Sequence, residues 1–134
     1  MHAFHLEPRM MSFLGGFYPT GHCFLMVPSQ DHARRAEAAL VKAGHDPDEI
    51  SLLEPVDVIA LARRFDRHDG VMLPSFGNEE TTRHFAELAR QGHHGLLVPA
   101  RTHEVCECLL DALKDIGLSC AVHYRRFLVE DLAV

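Results

Sequence analysis

Eleven histidines stand among 134 residues, so imidazole is the reactive side chain this sequence offers most freely. A metal site would draw on His84, His93, His94 and His123, with Cys23 as a sulfur donor. Zinc needs three or four ligands converging on a tetrahedron. The spacing works against that. His93 and His94 are adjacent, and on an extended segment adjacent side chains leave opposite faces. Cys106 and Cys108 stand two apart in a helical pattern, where they share no face. We expect no metal and no cofactor.

Covalent chemistry fares no better. Cys23 beside His22 suggests a thiol with a base, but a nucleophilic cysteine needs that base within reach and some exposure. Cys23 falls in a core strand and its neighbour points the other way, so a buried structural thiol is expected. No serine has a G-x-S-x-G setting. Gly15-Gly16 and Gly77-Asn78 are isolated turn signals rather than a phosphate loop. No catalytic residue is assigned.

Ligand binding leaves five candidates. Arg125-Arg126, with His123, Tyr124 and Phe127 around them, form the strongest anion-binding cluster. Arginine grips phosphate or carboxylate bidentately, and an adjacent aromatic can stack a base. On a strand, however, the two arginines leave opposite faces, and Glu130 and Asp131 offer them partners. His22, His94 and His123 flank strands near the ends of a sheet. Protonation there could loosen an interface, because histidine changes charge near neutral pH. The candidates are therefore His22, His94, His123, Arg125 and Arg126.

An internal repeat says what positions these residues. Leu25-Met26-Val27-Pro28 is followed by Asp31-His32, and Leu96-Leu97-Val98-Pro99 by Thr102-His103. Both segments run into a helical pattern and stop at a glycine, Gly44 or Gly117. The period of about 71 to 73 residues is too long for a solenoid and suits a domain of two similar halves. In the first half, residues 22–28 read as a strand and Asp31 as the helix N-cap. Ala33, Ala36, Leu40 and Ala43 form the buried stripe, and a strand follows near Ile50 to Glu54. In the second half, Gly95 to Val98 is a strand and Thr102 the N-cap. Val105, Leu109, Leu113 and Ile116 form the stripe, and a strand runs from Ser119 to Tyr124, continuing through Phe127 and Val129.

Residues 55–91 lie between the halves. Pro55 suits the first turn of a helix whose inner face is Val58, Leu61, Ala62 and Phe65. Val71 to Pro74 is a short extended piece. Asn78 caps a second helix, with Glu79 and Glu80 at its positive end and Phe85, Leu88 and Ala89 inward.

Two βαβ units predict an α+β fold, a ferredoxin-like α/β plait. It has one antiparallel sheet, with both repeat helices on one face and a helical insert between the halves. Residues 1–134 form a single domain: an arm over 1–21, the first half over 22–54, the insert over 55–91 and the second half over 92–134. The first and third strands lie side by side at the centre. Phe24 and Met26 point one way and Cys23, Leu25 and Val27 the other, so both faces need cover. The arm, the insert or a second subunit must cover the face away from the repeat helices. A homo-oligomer, in its simplest form a dimer, is expected.

The bulk numbers agree with a folded domain. Hydrophobic residues are 47% and charged residues 24%, and the net charge is -6. That charge argues against nucleic acid, which asks for a basic face. The four cysteines show no secreted-scaffold spacing and read as reduced thiols. No signal peptide and no apolar run of about 20 residues stands out, so a cytoplasmic protein without membrane contact is expected.

The run Phe24, Ala33 to Leu40 and Ala43-Gly44-His45-Asp46-Pro47-Asp48-Glu49-Ile50-Ser51 resembles the bacterial general-stress-protein (YflT-like) domain. Residues His84 to Val98 and the ending Tyr124-Arg125-Arg126-Phe127 are similar to it too. The resemblance spans about residues 22–127 and rests on structural motifs. Many members carry a glycine-rich apolar stretch where this chain has a polar helical insert, so membrane association does not carry over. The resemblance implies a stress-linked bacterial protein with no established reaction, and it assigns no catalytic residue.

The expectation is a non-enzymatic stress or regulatory protein that acts by self-association or by binding a small, anionic ligand on the sheet face. The alternative is a small α/β-plait enzyme with a pocket histidine as acid–base, which requires a concave pocket with convergent polar groups. RNA binding on an open sheet face would need exposed aromatics, for which Phe24 is the one clear candidate.

Overall fold

β2 (His22–Val27) and β4 (His94–Pro99) pair antiparallel at the centre of a six-stranded sheet. The computed structural model describes residues 1–6, 10, 19–66, 76, 79–125 and 128–132. With β1 (His2–Ala3), β3 (Ser51–Leu53), β5 (Cys120–Arg125) and β6 (Leu128–Asp131), the strand order is β1-β3-β4-β2-β5-β6. The inner four strands are β3 (Ser51–Leu53), β4, β2 and β5 (Cys120–Arg125), which is the order of a ferredoxin-like plait. The expected fold is therefore present, with the first and third strands of the plait as neighbours.

Two edge strands extend it. β1 (His2–Ala3) lies parallel to β3, so the sheet is mixed rather than wholly antiparallel. β6 (Leu128–Asp131) folds back antiparallel on β5. The expected continuation of β5 through Val129 is therefore a hairpin instead.

α1 (Gln30–Lys42) and α4 (His103–Ala112) pack on one face. Ser29, not Asp31, caps α1: its side chain accepts from the His32 amide. Asp31 instead pairs on the surface with Arg35, 3.3 Å away. Thr102 caps α4 as expected, accepting from the Val105 amide. Ser29 and Thr102 are separated by the same offset as Gly44 and Gly117, so the structural repeat is stricter than the sequence one. Gly44 and Gly117 take φ of 105° and 87°, the left-handed conformation that follows a helix end without steric cost.

The core stripe of α1 is Ala33, Ala36 and Leu40, as the spacing predicts. In α4 the stripe keeps Leu109 and Leu113 as predicted, and only its first position differs, Cys106 in place of Val105. Cys106, Leu109 and Leu113 are buried, while Val105 is 38% exposed.

The insert supplies the cover for the second face. α2 (Pro55–Asp66) and α3 (Glu79–Arg90) place Val58, Leu61, Phe85 and Ala89 against Phe24, Met26, Leu97 and Tyr124. Phe24 has no exposure and touches both Phe76 and Phe85, with ring centroids 5.1 and 5.0 Å away. The apolar face that asked for a second subunit is thus filled by the chain itself. Phe24 is likewise unavailable to stack an RNA base. The expected Val71 to Pro74 segment and the Asn78 cap lie outside the described residues. No helix among the described residues is long and apolar enough to cross a membrane.

Candidate functional site

The antiparallel ladder sends the sequence candidates to different places. His22 begins β2 and His94 begins β4, and His94 pairs with Val27 at the far end of β2. At about 3.4 Å per step the two histidines stand about 17 Å apart along the strands. They cannot share a site. His123 is buried inside the α4 face rather than at a strand end. Arg125 is exposed at the end of β5, and Arg126 lies outside the described residues.

At the His22 end a cleft of about 890 Å³ opens. That is within the ~300–1,000 Å³ range of small-molecule sites. Gly21 forms its turn, with φ of 80°; its N–H donates to the Tyr124 carbonyl and its carbonyl accepts from the Ala100 N–H, both at 2.8 Å. These bonds hold the start of β2 between the ends of β4 and β5. Arg101 follows, with its Cγ 4.0 Å from where a Cβ on Gly21 would stand. The guanidinium stem therefore lies across the turn that carries His22.

His22 is half-buried, and its Nδ1–H donates to the Thr20 carbonyl at 3.1 Å. A carbonyl only accepts, so Nε2 is the unprotonated nitrogen of the neutral ring. His2 and His5 line the cleft from the β1 side. Asp48 and Glu49 come from a 3₁₀ turn, Pro47–Glu49, which Asp46 caps by accepting from the Asp48 amide at 2.9 Å. Three imidazoles and one guanidinium thus converge with two carboxylates. Arg101, His2 and His5 were not singled out in the sequence, because β1 and the α4 approach reach the cleft only through tertiary pairing.

At the opposite end, His93 bonds to the Ser119 hydroxyl at 2.7 Å. Burial holds its imidazole below the usual histidine range, and the neighbouring His32 and His94 push the same way. His94 donates from Nδ1 to the Gly92 carbonyl at 3.1 Å. His84 is exposed on α3.

The third cluster lies under the α4 face. Cys23 sits directly across the ladder from His123, and α4 lowers Cys106 onto them. The two sulfurs are 2.7 Å apart, and one ligand atom from each residue lies within 4.8 Å of the others. All three residues are buried. His123 Nε2–H donates to the Ala100 carbonyl at 2.7 Å, which makes Nδ1 the basic nitrogen of the neutral ring. Cys108 faces solvent, as expected for a residue two positions from Cys106 on a helix.

Fold and geometry together define a ferredoxin-like α+β domain with a polar cleft at one end of its sheet. No family model matches the chain, and no solved structure matches it. The chain is similar to Protein MOR1 of Oryza sativa subsp. japonica, with 26% identity over 97 residues. The match covers 72% of this chain but spans 5% of that protein's length.

Proposed function

We propose that this chain is a non-enzymatic, regulatory ligand-binding domain whose strand-end cleft takes a small anion that also carries hydroxyl or amino groups. The observation that carries the reading is the convergence of Arg101 and His22 opposite Asp48 and Glu49. The guanidinium and imidazoles meet the anionic group, and the carboxylates accept from the ligand's donors. This moves binding from the sheet face, which α2 and α3 occupy, to the sheet end. The resemblance to bacterial general-stress-protein domains supplies the expectation of a stress-linked, bacterial setting. Self-association over the sheet face loses its motive, because that surface is used internally.

The same cleft also satisfies the condition for a small enzyme with a histidine acid–base, since it is concave and several polar groups converge in it. His22 would serve, with its ring oriented through Nδ1. Ligand binding is preferred because Arg101, Asp48, Glu49, His2 and His5 are all exposed, whereas catalysis gains most in a water-excluded site.

Calorimetric titration with inorganic phosphate, citrate and glutamate tests the reading. At least one should bind with a Kd at or below ~1 mM and lose about tenfold or more in Arg101→Ala. Binding that is unchanged in that variant, or absent for all three probes, would count against it.

A further inference from the structure

We propose that Cys23 and Cys106 are a redox-active pair that closes to a reversible disulfide between β2 and α4, with His123 as the proton acceptor. Their sulfurs are 2.7 Å apart, although 83 residues separate them in sequence. Non-bonded carbon atoms rest best at about 3.5–4.0 Å, and sulfur is larger. A disulfide bond is about 2.05 Å long, so the pair must close by roughly 0.6–0.7 Å. Two thiolates on one tetrahedral zinc stand about 3.8 Å apart, given Zn–S bonds of about 2.3 Å. The sulfurs would have to spread by about 1 Å to share that ion. The geometry therefore favours the S–S bond over a metal.

Burial selects the oxidant. Cys23 and Cys106 have no solvent exposure, so a bulky disulfide reagent has no path to either sulfur. Hydrogen peroxide is small and uncharged, and transient local opening between α4 and the sheet supplies the exposure that a thiol nucleophile needs. His123 takes the proton of Cys23, its cross-strand partner. The thiolate attacks one peroxide oxygen, the O–O bond breaks, and the departing hydroxide takes the proton from the imidazolium to leave as water. The Cys23 sulfenic acid is then attacked by Cys106. The S–S bond forms, the S–O bond breaks, and the Cys106 proton leaves with the hydroxide as a second water. Two thiols lose two electrons to one peroxide.

The bond would fasten α4 to the central strand. Pro99 and Arg101, on either side of the His123-bonded Ala100, both border the strand-end cleft, as does Val105 next to Cys106. The proposal stands whether or not that cleft binds an anion, because it concerns the interior pair alone.

The full-length chain, reduced and then exposed to stoichiometric hydrogen peroxide, provides the test. Intact mass should fall by that of two hydrogens and return with a phosphine reductant. Thiol titration in denaturant should drop from four to two. Non-reducing peptide maps should join Cys23 to Cys106, and Cys108→Ser should behave like the parent. The oxidised form should melt on the order of 10 °C higher. His123→Gln should slow closure about tenfold or more without preventing the bond. A disulfide that uses Cys108 or Cys120 would overturn the proposal. So would four thiols surviving peroxide, or stoichiometric zinc found in the purified protein by elemental analysis.

Discussion

Tyr124 Oη on β5 donates a 3.0 Å hydrogen bond to the backbone carbonyl of Phe76, which ties the insert to the sheet it covers. Both residues are fully buried. Phe76 has φ of 61°, a left-handed conformation that costs a bulky residue energy and that its surroundings must hold. The Tyr124 hydroxyl helps fix that carbonyl while the Phe76 ring packs on Phe24 and edge-on to Phe85.

Tyr124→Phe keeps the ring and removes this bond. The variant should lose about 1–2 kcal/mol by urea denaturation, because a buried acceptor gives up a partner. Its α2–α3 amides should exchange faster while those of α1 and α4 keep their protection. Uniform loss of protection would show that the insert and the repeat halves open as one unit.

Gly95 on β4 is held by packing rather than by backbone conformation. A Cβ there would stand 2.8 Å from Phe24 Cζ and 3.2 Å from Leu53 Cβ. Phe24 cannot yield, because Phe76 and Phe85 pack against its ring. Gly95→Ala should therefore destabilise the protein by about 1–3 kcal/mol through overpacking. A denaturation midpoint equal to the parent's would mean that the aromatic cluster can repack.

Ser29→Ala removes the α1 cap and should cost about 1 kcal/mol, while Asp31→Ala should cost far less. Equal losses in the two variants would contradict the assignment of the cap to Ser29.

His93 makes stability depend on pH. Its imidazole is held below the ordinary value of 6.5, so the unfolded chain binds this proton first as pH falls. Stability from this group is complete above pH 6.5. It is lost as pH drops from there to the lower folded value and is constant below that. Burial disfavours the charged ring first, His32 and His94 repel the charge, and Ser119 bonds the ring. Melting temperature should fall as pH drops below about 7, and His93→Asn should flatten that slope. An unchanged slope in the variant would place the effect on other groups.

The plait itself was legible because it is written locally. Two strand–helix–glycine runs recur, and the alternation of Phe24 and Met26 against Cys23, Leu25 and Val27 matches the two core layers. The insert's role followed less directly. Its helices were visible, but nothing in the sequence chose between them and a second subunit as cover. The cysteine pair is hidden in the sequence because the first inward position of α4 is Cys106 rather than Val105. Val105 was placed in the stripe that Cys106 occupies, and a β-branched apolar residue looks the better core choice. With Cys106 inward, both cysteines would have fallen on the layer between sheet and repeat helices. The cleft was hidden for a different reason. His2, Asp48 and Arg101 meet only because β1 pairs with β3 and α4 begins above the end of β4, and such long-range pairings leave no local signature.

On the reading proposed above, the ligand binds at the strand-end cleft and not at the sheet face or the His94 end. The most direct test is amide chemical-shift mapping on isotope-labelled protein with the tightest of the phosphate, citrate and glutamate probes. Saturable shifts should gather at Gly21, His22, Glu49 and Arg101, with His93 and His94 unmoved. Shifts centred on His93 and His94, or no saturable shift up to ~1 mM of any probe, would contradict the account.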